Sequence, residues 1–158
     1  MATFKDKTGD EWLIDLSVGD VARIKRDTGV NLNDAFVPDD AGKTVLMRLA
    51  SSIEQTIAVL YAACEPQVAE RGLSPEDFAR RFTLDTVEDA TAALGEAICN
   101  FFPKRLRDPM HRARRKVHER IAANQPTEKE LDAMIDATID RLLPRRATSI
   151  EPLTASPA

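Results

Sequence analysis

His111 and His118 are the only imidazoles in a chain of 158 residues. They stand seven positions apart, which on a helix means two turns apart on one side. That is longer than the i, i+4 spacing with which a single helix chelates zinc. The two cysteines, Cys64 and Cys99, have no metal-site spacing to each other or to either histidine. Each falls on or beside an apolar helix face, so both read as small reduced core residues rather than a disulfide. Acids are numerous but cluster at helix starts and on solvent faces, where the helix dipole favours them. No pair of them is flanked by a histidine or a glycine-rich turn that acid–base or acyl chemistry would use. G-x-x-x-x-G-K-[ST], G-x-G-x-x-G and G-x-S-x-G are all missing from the sequence. The residues therefore predict no enzyme: no catalytic, cofactor-binding or metal-ligating set.

The remaining charged feature is a basic run. Net charge is −4 overall, yet it is uneven: −3 over residues 1–43, −5 over 44–103, +6 over 104–123 and −2 over 124–158. Arg112, Arg114, Arg115 and Lys116 head the basic stretch. Clustered arginine can release counterions from nucleic acid, but no glycine or aromatic interleaving offers base stacking. The acidic total weighs against nucleic acid as well. A solvated face or a protein contact is the reading preferred for these four residues.

The elements that carry these residues are helical. Residues 44–64 hold Leu46, Leu49, Ile53, Ile57, Leu60 and Cys64 at steps of three and four, the period of one helix side. Small apolar residues widen that side almost to a full wrap. A helix of this kind needs covering, so 44–64 is read as the organising helix. Before it, residues 2–7 and 11–16 flank Thr8-Gly9-Asp10, a β-hairpin whose Trp12, Ile14 and Leu16 share one face. Ser17 to Asp20 make a capping box for a helix from Val18 to about Thr28, stopped by Gly29. Residues 30–43 read as a loop with Leu32 and Phe36 tucked in.

After it, Pro66 kinks or ends the organising helix, and Gly72 stops any further turn. Ser74-Pro75-Glu76-Asp77 starts a short helix bearing Phe78 and Phe82. Asp85 caps the next, striped by Val87, Ala90, Leu94, Ile98 and Phe101 and ended by Phe102-Pro103. Asp108-Pro109 starts a helix to about Asn124, with Met110, Ala113, Val117 and Ile121 on one narrow side. Thr127 to Glu130 cap a last one with Leu131, Met134, Ile135, Thr138 and Leu142 in line, and Asp132, Asp136 and Asp140 facing solvent. These two could pair as a helical hairpin, basic face to acidic face.

The expected fold is mainly α, with a small N-terminal β-hairpin packed on a bundle of about five to six helices. Residues 1–103 form the hairpin and helical core, 104–143 a helical hairpin, and 144–158 a proline-rich disordered tail. No apolar run reaches membrane-spanning length, and the N-terminus lacks a secretory signal. A cytoplasmic location follows as an expectation.

The opening F-K-D-K-T-G-D-E-W-L-I-D-L-S-V-G-D-V-A-R-I-K-R-D-T-G-V-N-L, the central A-V-L-Y-A-A-C, the G-L-S-P-E-D-F that follows and the F-F-P helix end resemble the tail assembly chaperones of long-tailed phages and prophages. The likeness covers about residues 1–103. It implies a helical, non-enzymatic protein working in the host cytoplasm. Its partners would be the tape measure protein, kept soluble until the tail tube polymerises, and the tail tube protein. Self-association is left open. A docking groove on the organising helix and the helix ending at Phe102 would be lined by Leu49, Ile53, Ile57, Leu60, Leu94, Ile98, Phe101 and Phe102. Two other readings compete: a small DNA-binding regulator using the basic helix, and a minor structural protein of the virion.

Overall fold

A computed structural model describes residues 1–143; the tail expected over 144–158 lies outside them. Two strands open the chain, β1 (Ala2–Lys5) and β2 (Glu11–Ile14). They pair antiparallel with Phe4 opposite Trp12. Gly9 has φ 87°, the left-handed conformation the turn requires and an L side chain resists. The alternation of the strands puts Ala2, Phe4, Trp12 and Ile14 inside.

Eight helices follow among the described residues: α1 (Val18–Thr28), α2 (Val45–Ser51), α3 (Ile53–Ala63), α4 (Glu65–Glu70), α5 (Pro75–Ala79), α6 (Leu84–Phe101), α7 (Lys104–Ala123) and α8 (Glu128–Leu142). The mainly α fold with a hairpin packed on helices is as expected. So are the Ser17–Asp20 capping box and the left-handed Gly29 stop at φ 75°. In the loop after α1 a single 3-10 turn, Leu32–Asp34, buries Leu32, and Phe36 is half-buried against the core.

The organising helix is not continuous. Ser52 leaves the helical region (φ −133°, ψ 100°) and its hydroxyl caps α3 by accepting from the Gln55 amide. A serine at the end of one helix competes for the backbone as an N-cap of the next. At the break the Leu49 carbonyl accepts from the Ser52 amide at 3.1 Å and from the fully buried Thr56 hydroxyl at 2.7 Å. Pro66 stands in the first turn of α4, where its missing N–H costs nothing. This run therefore gives three helices, which takes the number to eight among the described residues, above the five to six expected.

Two starts also differ from the sequence reading. The cap of α6 is Thr83, in reciprocal bonds with Thr86, rather than Asp85. Helix α7 begins at Lys104, directly after Pro103, so Pro109 lies inside it. A proline there forgoes one bond to the carbonyl four residues back, but falls soon after the first turn, whose amides have no intrahelical partners anyway.

The centre of the fold is shared by α3 and α6. Helix α6 meets β1, β2, α2 and α3, and α3 meets α1, α2, α4 and α5. Residues 1–121 make one compact unit, and a second begins at Ala122 and contains α8. The division expected after residue 103 thus falls later, because α7 lies along the first unit: Val117 packs on the core and Arg114 donates to the Ala92 carbonyl of α6 at 2.9 Å.

Candidate docking surfaces

Three surfaces keep side chains available for contact. The first is α8. Its start is fixed by a full capping box: the Thr127 hydroxyl accepts from the Glu130 amide, and the Glu130 carboxylate accepts from the Thr127 amide at 2.7 Å. Those bonds hold the Glu130 carboxyl below its ordinary pKa. Apolar residues recur at the helical period, so Leu131, Met134, Ile135, Ile139 and Leu142 stand on one side. They are 45%, 62%, 49%, 48% and 69% exposed, unlike any comparable stripe in residues 1–121. Glu128, Asp132, Asp136 and Asp140 follow at steps of four, a row that leaves the stripe at Asp132 and turns onto the opposite face by Asp140. Glu130 and Arg141 border the stripe's other side, and Ala133 and Ala137 lie on the far face.

The second surface is a groove of about 550 Å³ between α1 and α3. Ile57, Ala58 and Tyr61 of α3 form its apolar side, and Arg23, Arg26, Glu54 and Glu65 rim it. Arg23 is held in place by Asp20 at 2.7 Å, Glu65 at 3.2 Å and the Ala62 carbonyl. This wall is fixed before anything arrives. Ile53 lies on the same helix, 50% exposed.

The third is the solvent face of α7. Arg112, Arg115 and Lys116 are exposed and make no ion pair with another described residue. Arg114 does not belong with them. It is half-buried, and its guanidinium reaches back over α6 to Ala92.

The expected groove along the organising helix and α6 needs correction. Leu49, Leu60, Leu94 and Ile98 are 0–2% exposed and form the protein's own core. The almost complete apolar wrap of that region is covered by α1, α5 and α6 rather than left for a partner. Phe101 and Phe102 are half-buried against the core, with Phe102 6.3 Å from Phe36. Ile53 and Ile57 keep outward surface.

Sequence reading missed Asp6. Its side chain is fully buried. It accepts from the Thr8 hydroxyl and amide, the Asp10 amide, the Trp12 indole N–H at 3.0 Å and Arg81 Nη1 at 3.0 Å. Burial alone would raise its pKa, but the hydrogen bonds from Thr8, Trp12 and Arg81 outweigh it and bring it down to about 2. Trp12 meets Phe78 edge-on at 5.0 Å and lies under the Arg71 guanidinium at 4.0 Å. Gln67 pairs with both backbone groups of Leu13, closing the free edge of β2. The signal was present in Asp-Lys-Thr-Gly-Asp, an Asx-turn composition, but the partner Arg81 is 75 positions away.

A polar pocket of about 280 Å³ lies where β2 meets the end of α6, with Asp15, Asn100 and Arg107 on its wall. Asp15 and Arg107 are its only ionisable side chains, and no nucleophile–base pair faces it. Among the described residues no three His, Cys, Asp or Glu side chains gather as a metal would need. No helix among them is long and apolar enough to cross a membrane. Cys64 and Cys99 are buried free thiols. Burial pushes the Cys64 thiol up to about 12, against a smaller opposing effect of Arg71.

No family model, curated protein or solved structure matches the chain.

Proposed function

We propose that this chain is a tail assembly chaperone of phage type, a helical binding protein that holds the tape measure protein soluble until tail tube subunits polymerise around it. The resemblance of residues 1–103 suggests the family. The observation that carries the reading is the exposed stripe of α8. Five large apolar side chains on one face of a well-capped helix stand about half in water. Covering the rest of each contributes on the order of 1 kcal/mol, before the cost of ordering both partners is subtracted. A tape measure is itself a long helix with an apolar stripe, which aggregates when bare. Helix against helix is a contact both surfaces can make. The docking face proposed here is thus α8, with Ile53 and Ile57 beside the α1–α3 groove as a second contact.

Co-expression with the tape measure protein tests this. The soluble yield of the tape measure rises with the intact chain and returns to its unaided level with Met134→Gln/Ile135→Gln. An unchanged yield with the intact chain overturns the reading. A second reading, duplex DNA binding, draws on the exposed Arg112, Arg115 and Lys116. It predicts salt-sensitive binding that is lost when those three become alanine.

A further inference from the structure

Helix α7 carries eight cations against two carboxylates, Asp108 and Glu119. None of these cations joins an ion pair among the described residues. Arg107 and Arg114 donate instead to the Phe102 and Ala92 carbonyls. The other six, Lys104, Arg105, Arg112, Arg115, Lys116 and Arg120, are exposed. At about 100° per residue they divide into two groups. Arg105, Arg112 and Lys116 fall within about 40° of one another, and Arg120 carries that row one step further round. The row follows the flank beside the half-buried Ala113. Lys104 and Arg115 lie on the other side of the solvent crest, with Asp108 and Glu119 on the crest between.

We propose that the row Arg105, Arg112, Lys116 and Arg120 docks an acidic helix of a partner protein, with carboxylates at four-residue steps. Arg112, Lys116 and Arg120 rise about 6 Å from one to the next, the repeat of an acidic row on a second helix. Rows of this spacing on two helices mesh as ridges, so several charge pairs close together. The arginine fork can hold both oxygens of a carboxylate.

Duplex nucleic acid fits less well. It is wider than one helix and engages both flanks, which brings its phosphates against Asp108 and Glu119 on the crest. The residues before α7 carry −3 over 1–43 and −5 over 44–103, a field that repels a long polyanion. A ligand no longer than α7, about 30 Å, meets the basic row at close range while charges further off are screened. This contact goes beyond the chaperone reading and does not depend on the α8 stripe.

The test titrates the full chain, labelled for NMR, with a synthetic alanine-based helix bearing glutamate at every fourth position. A glutamine version of the peptide and a 20-base-pair duplex are the comparisons. At low salt the glutamate peptide is expected to bind about tenfold tighter than the glutamine one, shifting α7 amides, and the preference should shrink in high salt. It should be lost in Arg112→Gln/Lys116→Gln/Arg120→Gln. It should survive in Lys104→Gln/Arg115→Gln, on the other flank, and in Met134→Gln/Ile135→Gln.

Equal affinity for the two peptides overturns the proposal, as does an equal loss in both basic variants, which would reduce the effect to net charge. Tighter binding of the duplex would make nucleic acid the occupant. Binding of the glutamate peptide that tightens at least tenfold in Asp132→Asn/Asp136→Asn/Asp140→Asn would mean that the chain's own carboxylates occupy the row. Either result also overturns it. None of these outcomes changes the soluble yield of the tape measure, so the chaperone reading stands or falls separately.

Discussion

Arg114 crosses α6 at Gly95. Its Nε lies 2.9 Å from where a Cβ on Gly95 would stand, and its Nη2 donates to the Ala92 carbonyl at 2.9 Å. A glycine inside a helix costs stability, and here it gives an arginine from α7 a path across the helix. The basic residue that sequence reading grouped with a contact surface is a fastener between two helices.

Replacing that glycine separates two effects. In Gly95→Ala the helix gains about 1 kcal/mol of propensity, but the Arg114 arm must move. Overall Tm should hold or rise, while amide exchange in α7 quickens. Adding Arg114→Ala removes the conflict, so Gly95→Ala in that background should be plainly stabilising. A fall in Tm in both backgrounds would contradict this geometry.

Asp6 makes the hairpin acid-sensitive. Its folded pKa of about 2 lies below the ~3.9 of an unfolded aspartate. The stabilisation it gives is therefore complete above about pH 4 and is lost as pH falls toward 2. The difference corresponds to on the order of 2 kcal/mol. Urea unfolding of the wild type and Asp6→Asn across this range checks the sign: the gap between them is widest at neutral pH and closes in acid. A gap independent of pH would exclude the ion-pair account.

Burial separates core from contact surface. Leu60→Ala and Leu94→Ala each should cost about 2–5 kcal/mol, as large-to-small changes in a closed core do. Met134→Gln and Ile135→Gln should change the stability of residues 1–121 by less than about 0.5 kcal/mol. Denaturant melts read at Trp12, which is fully buried, report that unit. Mild effects at Leu60 and Leu94 would return them to the surface role first expected.

The two thiols should be silent until the protein unfolds. With Cys64 held protonated to about 12 and both sulfurs buried, a thiol-reactive chromophore should label neither quickly at neutral pH, because the thiolate is the reactive form. Labelling should follow global unfolding, reaching two equivalents in denaturant. Rapid reaction of one equivalent in the native state would reveal an open path to the core.

Local signals were legible where one residue decides the outcome. Gly9, Gly29, Ser17 with Asp20, and Thr127 with Glu130 all stand as their types dictate. Breaks inside periodic stretches were not. Ser52 interrupts a run whose apolar spacing continues unbroken across it, because a capping hydroxyl outweighs a period that both shorter helices still satisfy. Long-range partners were beyond reach: Asp6 with Arg81 and Arg114 with Gly95 depend on how the elements pack. For the docking surface, periodicity identified apolar faces correctly at both Leu60 and Ile135. It could not say which face the chain itself would cover, since burial is a property of neighbours rather than of a stripe.

The most direct measurement is amide hydrogen exchange over Glu128–Leu142 in the full chain, alone and co-purified with the tape measure protein. Alone, this helix should exchange near the rate of an exposed segment. In the complex its protection should rise by at least about tenfold while α3 and α6 stay unchanged. Protection of α8 already present in the free monomer, or no gain in the complex, would contradict the claim that its apolar stripe is where the partner docks.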